Sequence, residues 1–339
     1  MPVFGVYDVQ AGFVAETAGS ASFGAIPSNP FWLWIGEVQN LDPTMSRNML
    51  QIWSFDQNRD PVAQPYMEKT FDYKIKWYPQ NSGVISPTAG QLAAAGAYDI
   101  YLLTAVAQSV NTTWDFEEFW KPQAGVIADQ RYYRYLGAKA SKARISWKVG
   151  QPIEVDMDFM FREVYTPFPD TITLPGATYQ AEFQGLPYLF SDATINFDPL
   201  TSVGQTGNFS TAGVSGKITC LDFEININNR IDRQSGFTIG DSKVASLPIG
   251  RREIDFSMTR LFEDQFQVDQ FINGINGANT QGTIFRVQLP IGPGHSITIN
   301  NAKWNPLTVP KDIKRDVLVF RFTGKAQQPI AGGSALTVV

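Results

Sequence analysis

Apolar and polar residues alternate with period two in four separate stretches of the chain. Across residues 70–77, Phe71, Tyr73, Ile75 and Trp77 take one side and Thr70, Asp72, Lys74 and Lys76 the other. Residues 153–159 repeat the device, with Ile153, Val155, Met157 and Phe159 opposite Glu154, Asp156 and Asp158. Residues 221–228 set Leu221, Phe223, Ile225 and Ile227 against Asp222, Glu224, Asn226 and Asn228. Residues 253–260 set Ile254, Phe256 and Met258 against Glu253, Asp255 and Ser257. Strand side chains point alternately to the two faces of a sheet, so each stretch predicts an antiparallel strand with one face in a core and one in water. Residues 261–275 follow another period. Leu261, Gln265, Val268, Ile272 and Ile275 recur at spacings of four and three, Phe262, Phe266 and Phe271 widen the stripe, and Gly274 with Gly277 would end it. That spacing predicts an amphipathic helix covering a sheet. Short runs rich in Val, Ile, Phe, Tyr and Thr, punctuated by 28 glycines and 21 prolines, fill much of the remainder. The fold class expected is mainly β.

The order of these stretches repeats. The strand at 69–76, a small-residue, helix-compatible stretch at 87–95 and a strand at 98–105 match the strand at 252–259, the helix at 261–275 and a strand beginning at Ile284. Phe71 and Ile254 lie 183 positions apart, and Ile100 and Ile284 lie 184 apart. Each half then reaches a tryptophan, Trp147 or Trp304, and a closing strand ending in Phe-Arg, at Phe161-Arg162 or Phe320-Arg321. Upstream, Glu37-Val38-Gln39-Asn40 matches Glu224-Ile225-Asn226-Ile227. A fixed offset of this kind predicts two tandem domains. We place an N-terminal arm at 1–27, the first domain at 28–165, a connector at 166–179, the second domain at 180–325 and a C-terminal tail at 326–339. An aromatic insertion near 112–137, with Trp114, Phe116, Phe119, Trp120, Tyr132, Tyr133 and Tyr135, reads as a loop that packs or contacts a neighbouring subunit.

Composition narrows the function. One histidine, His295, and one cysteine, Cys220, among 339 residues leave no intrachain disulfide and no His/Cys zinc cluster. The free thiol of Cys220 fits assembly in a reducing cytoplasm. A net charge of −5 without a run of Lys and Arg argues against an electrostatic nucleic-acid binder. No stretch of about 18 apolar residues exists to cross a membrane, and residues 1–5 do not open a secretion signal.

Little in the chain spells catalysis. Glu154, Asp156 and Asp158 have the spacing of an acid/base pair, but a solvated acidic face explains them equally. His295 lies in the turn Gly292-Pro293-Gly294-His295-Ser296. The glycines near 207 and 213–216 lack the helix and Lys-Ser/Thr ending of a phosphate loop. We expect no enzyme, no cofactor and no metal. The collective feature is a set of outward carboxylates, Glu154, Asp156, Asp158, Asp222, Glu224, Glu253 and Asp255. On a surface that DNA must pass they would repel it.

The chain resembles the major tail tube proteins of bacteriophages with long non-contractile tails. The likeness lies in residues 222–229, the polar stretch 230–246, residues 248–256, the closing strands at 304–322, and the N-terminal Ala15-Glu16-Thr17-Ala18-Gly19-Ser20 with Ser22-Phe23-Gly24-Ala25-Ile26-Pro27. It implies two tandem β-sandwich or tube domains, each with a flanking α-helix, whose inner sheets join those of neighbouring subunits into a β-barrel ring. It also implies a virion protein that stacks into a tail tube, meets tape measure, tip and terminator proteins, and conducts genome DNA without binding it specifically. The seven carboxylates would face the lumen. With two tube domains per chain, three copies make a pseudo-six-fold ring, with a hexamer as the other possibility. Polar loops at 39–64, 201–215 and 230–247 would reach the next ring. Eight tryptophans and twelve tyrosines leave a second reading open, a carbohydrate- or receptor-binding β-sandwich of the virion.

Overall fold

The computed structural model describes residues 9–16, 23–35, 37–49, 66–81, 113–120, 131–165, 177–179, 186–192, 196–200, 220–239, 241–261, 284–290, 296–304, 312–314, 317–326 and 335–338. The first half contributes β1 (Val9–Ala15), β2 (Phe31–Trp34), β3 (Glu37–Met49), β4 (Tyr66–Tyr78), β5 (Gln80–Asn81), β6 (Trp114–Trp120), β7 (Arg131–Lys148), β8 (Glu154–Phe161) and β9 (Glu163–Tyr165). The second contributes β10 (Thr178–Tyr179), β11 (Leu186–Pro187), β12 (Asn196–Leu200), β13 (Cys220–Asn228), β14 (Glu253–Leu261), β15 (Ile284–Pro290), β16 (Ser296–Trp304), β17 (Asp312–Lys314), β18 (Val317–Ala326) and β19 (Leu336–Val338). The protein is mainly β, as its alternation predicts, and the four alternating stretches are β4, β8, β13 and β14. Along β8, buried Val155, Met157, Phe159 and Phe161 alternate with half-buried Glu154, Asp156, Asp158 and Met160.

Strand pairing follows one plan twice. In the first half β1 pairs with β6, β6 with β7, and β7 with both β8 and β9, while β8 continues to β4 and β4 to β3. In the second, β12 pairs with β15, β15 with β16, and β16 with both β18 and β19, while β18 continues to β14 and β14 to β13. The closing registers differ in detail. Tyr73 stands opposite Phe159, whereas its counterpart Phe256 stands opposite Gly324, so the two Phe-Arg endings are not equivalent positions. A Cβ on Gly324 would lie 2.2 Å from the Phe256 ring, so the bare backbone there makes room for the aromatic.

The halves are joined by hydrogen bonds as well as by chain. The second half of β7 lies antiparallel to β13, from Lys142↔Asn228 to Lys148↔Asp222. A single sheet therefore runs β3-β4-β8-β7-β13-β14-β18, and among the described residues it does not close on itself. Strand β7 serves two layers, because its first half pairs with β6 and its second half with β8 and β13. It passes between them near Gly137, whose φ of 69° favours glycine. A side chain there would press on Arg162, Phe23 and Gly24 at 3.0–3.2 Å. Between the layers Tyr73 stacks on Tyr135 at 4.7 Å, and Phe116 meets Phe159 at 4.7 Å and Tyr73 at 5.8 Å. This is sandwich packing, with the apolar rows of β4, β8, β13 and β14 in one core.

Several expectations change. The 112–137 segment is not loop throughout: β6 and the start of β7 form a paired hairpin, and Trp114, Phe116 and Tyr135 are buried. By its pairing with β1 and β7, β6 is the counterpart of β15, which pairs with β12 and β16. Of residues 1–27, Val9–Ala15 pair with β6 as β1, and of residues 326–339, Leu336–Val338 pair with β16 as β19. In the connector, Thr178–Tyr179 pairs in parallel with Phe31–Trp32. Of the helix at 261–275, Leu261 ends β14 and the rest lies outside the described residues, as do 87–95 and 98–105. The described residues hold two short 3-10 turns, Phe190–Asp192 and Gln234–Gly236, and no α-helix.

Candidate functional site

Period-two alternation puts all seven candidate carboxylates on one face of one sheet. Glu154, Asp156 and Asp158 come from β8, Asp222 and Glu224 from β13, and Glu253 and Asp255 from β14. Their strands' opposite rows, among them Met157, Phe223 and Phe256, are buried. Between the acidic strands stand basic ones. Lys74 and Lys76 of β4 lie opposite Asp158 and Asp156. On the other flank of β8, Lys142 and Arg144 of β7 oppose the same two carboxylates, and Lys148 opposes Asp222.

The face is therefore a ladder of opposite charges, the carboxylates sharing it with Lys74, Lys76, Lys142, Arg144 and Lys148. Lys74 Nζ meets Asp156 at 3.0 Å, Lys76 meets Glu154 at 2.9 Å, and Arg144 meets Glu224 at 2.6 Å. Arg230 Nη2 donates to both oxygens of Glu253 at 2.7 Å, and Lys325 lies 3.5 Å from Asp255. Such exposed pairs contribute about 0–1 kcal/mol each to stability. Their larger effect is that each cation is already engaged. Burial alone would raise the Glu224 carboxyl, but hydrogen bonds from Arg144 and Asn226 outweigh it and hold it below the usual range. Asp158 goes the other way. Its burial and the neighbouring Asp156 lift it, against the opposing pull of Lys74 and Lys142.

The ladder lines a hollow. A cavity of about 440 Å³ opens on this face, floored by residues of five adjacent strands, including Lys74, Asp156, Arg144, Asn226 and Asp255.

The 230–247 loop, expected to reach outward, folds back on its own chain. Asn229 donates its side-chain amide to Ala140 O at 2.8 Å, donates its backbone N–H to Ser141 O at 2.8 Å, and accepts from Arg252 at 2.9 Å. Arg233 grips Asp72 and donates to Phe71 O at 3.1 Å. Ser242 O accepts from Lys69 N at 3.0 Å, Leu247 O accepts from Lys139 Nζ at 3.0 Å, and Lys243 pairs with Glu163. The second half thus clasps the rim of the first. Of the other loops, 39–49 belongs to β3, while 50–64 and 201–215 lie outside the described residues.

A second polar group is buried among the aromatics of β6 and the start of β7. Glu16 accepts from Gly137 N at 3.0 Å and Gly24 N at 3.3 Å, and from the Thr113 hydroxyl, while Asp115 shares the Gly137 donor at 3.0 Å. Beside them Arg134 pairs with Glu117 at 2.5 Å with both side chains buried, and Tyr73 donates to Glu118 at 2.5 Å. A visible signal was the string Asp115-Phe116-Glu117-Glu118, which breaks the alternation of its neighbours. Cys220 is buried, its thiol donating to Asp222 O at 2.9 Å. His295 lies outside the described residues. Among the described residues no group of three His, Cys, Asp or Glu side chains converges to hold a metal, and no helix is long and apolar enough to cross a membrane.

A search of curated proteins finds no match. The family model described as phage tail tube protein matches residues 7–336, nearly the whole chain, so the chain belongs to that family.

Proposed function

We propose that this chain, as a phage tail tube protein, builds the tube wall by self-assembly into stacked rings whose polar sheet face lines the lumen through which DNA is ejected. The family makes it a structural component of the virion tail, and that family is not one of enzymes. The observation that carries the finer reading is the charge ladder lining a hollow on an open sheet. Open sheet edges leave unpaired backbone groups, and joining edge to edge into a ring removes them. The sheet's four-strand order β3-β4-β8-β7 recurs as β13-β14-β18 with β16 beside β18. On this reading the halves are tandem tube domains, and three chains supply six repeats per ring, with tail partners at its ends.

The charge ladder gives the lumen a specific electrostatic character. Binding to DNA is driven by Lys and Arg replacing the counterions on phosphates. Lys74, Lys76 and Arg144 are tied to carboxylates 2.6–3.0 Å away, so a passing phosphate meets cations that are already neutralised. The seven carboxylates would act here by occupying cations as much as by repelling phosphates. The test is to neutralise them. Phage carrying Asp156→Asn with Glu224→Gln should eject DNA more slowly at low salt and recover at high salt. Unchanged ejection in an assembled variant would contradict this lumen assignment.

The alternative, a carbohydrate- or receptor-binding sandwich, needs aromatic platforms on the surface. Four of the eight tryptophans, Trp32, Trp77, Trp114 and Trp147, are at most 1% exposed. They are core, which favours the tube.

A further inference from the structure

We infer that Glu16 and Asp115 share one proton, that this acid pair latches the turn between residues 16 and 24 onto the crossing of β7, and that the latch loosens as pH rises while the sheets stay folded.

One side chain closes the turn. Glu16 follows β1, and Gly24 lies eight positions further on. Glu16 Oε2 accepts from Gly24 N at 3.3 Å and from the Thr113 hydroxyl, and the Glu16 backbone N–H donates to Thr113 O at 2.9 Å. Its other oxygen, Oε1, accepts from Gly137 N at 3.0 Å, where β7 passes between the two layers. Arg162 holds the far end of the turn. It donates to Phe23 O, and its guanidinium lies 5.7 Å from the centre of the Phe23 ring.

Two acids compete for one donor. Asp115 Oδ1 accepts from the same Gly137 N–H, also at 3.0 Å. Two carboxyl oxygens on one nitrogen are near neighbours, and the two residues are only 0% and 6% exposed. Asp115 Oδ2 is buried as well, and among the described residues no donor reaches it. Two ionised carboxylates in such a site would repel each other without water to screen them. One proton therefore stays with the pair and turns an orphaned acceptor into a donor. Burial and the charge of Glu16 raise the Asp115 carboxyl in the same sense.

The charged groups around the pair are engaged. On β6, Glu117 pairs with Arg134 of β7, and Glu118 accepts from Tyr73 of β4. On β9, Glu163 holds Lys243. Lys139 of β7 donates to Leu247 O at 3.0 Å, while burial lowers its ammonium and the charge of Glu16 raises it. Lys139→Met is thus the control for that second titration.

The direction of the switch follows from the open state. Once the turn lifts, Asp115 meets water and ionises near pH 4, so the closed latch holds one more proton than the open one up to about pH 9. Each pH unit within that window makes opening about tenfold easier.

The experiment is hydrogen exchange on the full chain from about pH 5 to about pH 8, each rate divided by that of an unstructured peptide. The Gly24 and Gly137 amides should lose about tenfold in protection per pH unit. At each pH they should exchange at least about tenfold faster than Ile225, which lies in the sheet between β7 and β14. Asp115→Asn supplies an N–H in place of the shared proton and should make the protection level with pH, and Lys139→Met should keep the wild-type slope. Infrared difference spectra of wild type against Asp115→Asn should show a protonated carboxyl at neutral pH. A wild-type protection that is level with pH, a slope that survives in Asp115→Asn or vanishes in Lys139→Met, or a missing carboxyl band overturns the latch. So does exchange of Gly24 and Gly137 only as slow as that of Ile225.

Discussion

Arg144 of β7 and Glu224 of β13 meet at 2.6 Å across the seam that joins the two halves of the chain. Both are partly exposed, at 44% and 24% of the side chain, so their mutual attraction is screened. Arg144→Ala or Glu224→Gln should each cost about 1 kcal/mol or less in urea unfolding, and a double-mutant cycle should show a coupling of similar size. A coupling of zero would mean that backbone pairing alone holds the seam.

The same pair sets an acid limit. Glu224 titrates below its ordinary value once its hydrogen bonds outweigh burial, and Arg230 holds Glu253 below its own. A carboxyl depressed in the folded state stabilises above its unfolded pKa, and that contribution is lost as pH falls through the folded value. Thermal melts from pH 6 to pH 2 should fall below about pH 4. Glu224→Gln should flatten part of that fall.

Asp115 works in the opposite sense. Burial, then the charge and hydrogen bond of Glu16, push its carboxyl up to about 9 against the Gly137 N–H. The unfolded chain ionises it near 4, so the folded state binds more protons between about pH 4 and 9 and loses stability as pH rises through that window. Asp115→Asn keeps an oxygen for Gly137 and removes the ionisation. Its melting temperature should exceed wild type by at least ~2–4 °C at pH 8, with the gap closing toward pH 4. A lower melting temperature at pH 8 would refute the assignment of a buried neutral acid.

How far the fold was readable from the chain depended on alternation. Strands β4, β8, β13 and β14 each bury one row against a single core, and their sequences declare it. Strands β6 and the start of β7 do not, because Asp115, Glu117, Glu118 and Arg134 are buried in polar partnerships with Glu16, Gly137 and Tyr73. Buried ionisable groups mimic a solvated loop in sequence. The seven carboxylates were recoverable as one face, since parity alone places them there. Their neutralisation was not, because pairing Lys74 with Asp156 or Arg144 with Glu224 needs the strand order, which spans up to 82 residues of chain. The folding back of residues 230–247 onto β4 and β9 was hidden for the same reason.

Gly324 offers a packing test. The Phe256 ring lies across it, with a hypothetical Cβ also 2.8 Å from Lys303 O. Gly324→Ala should cost about 1–3 kcal/mol, since the ring and a neighbouring strand would both have to move. Urea unfolding of this variant beside wild type reads the effect directly, and a neutral result would show that Phe256 has another rotamer to take.

Electron microscopy of the purified, concentrated full chain, with symmetry and lumen lining read from the reconstruction, puts the account to its hardest trial. Rings of three chains carrying six similar repeats, stacked into tubes with Lys74, Asp156, Arg144 and Glu224 on the inner wall, are the expected outcome. Tubes with that ladder on the outside, or particles that remain single chains at every concentration, would contradict it.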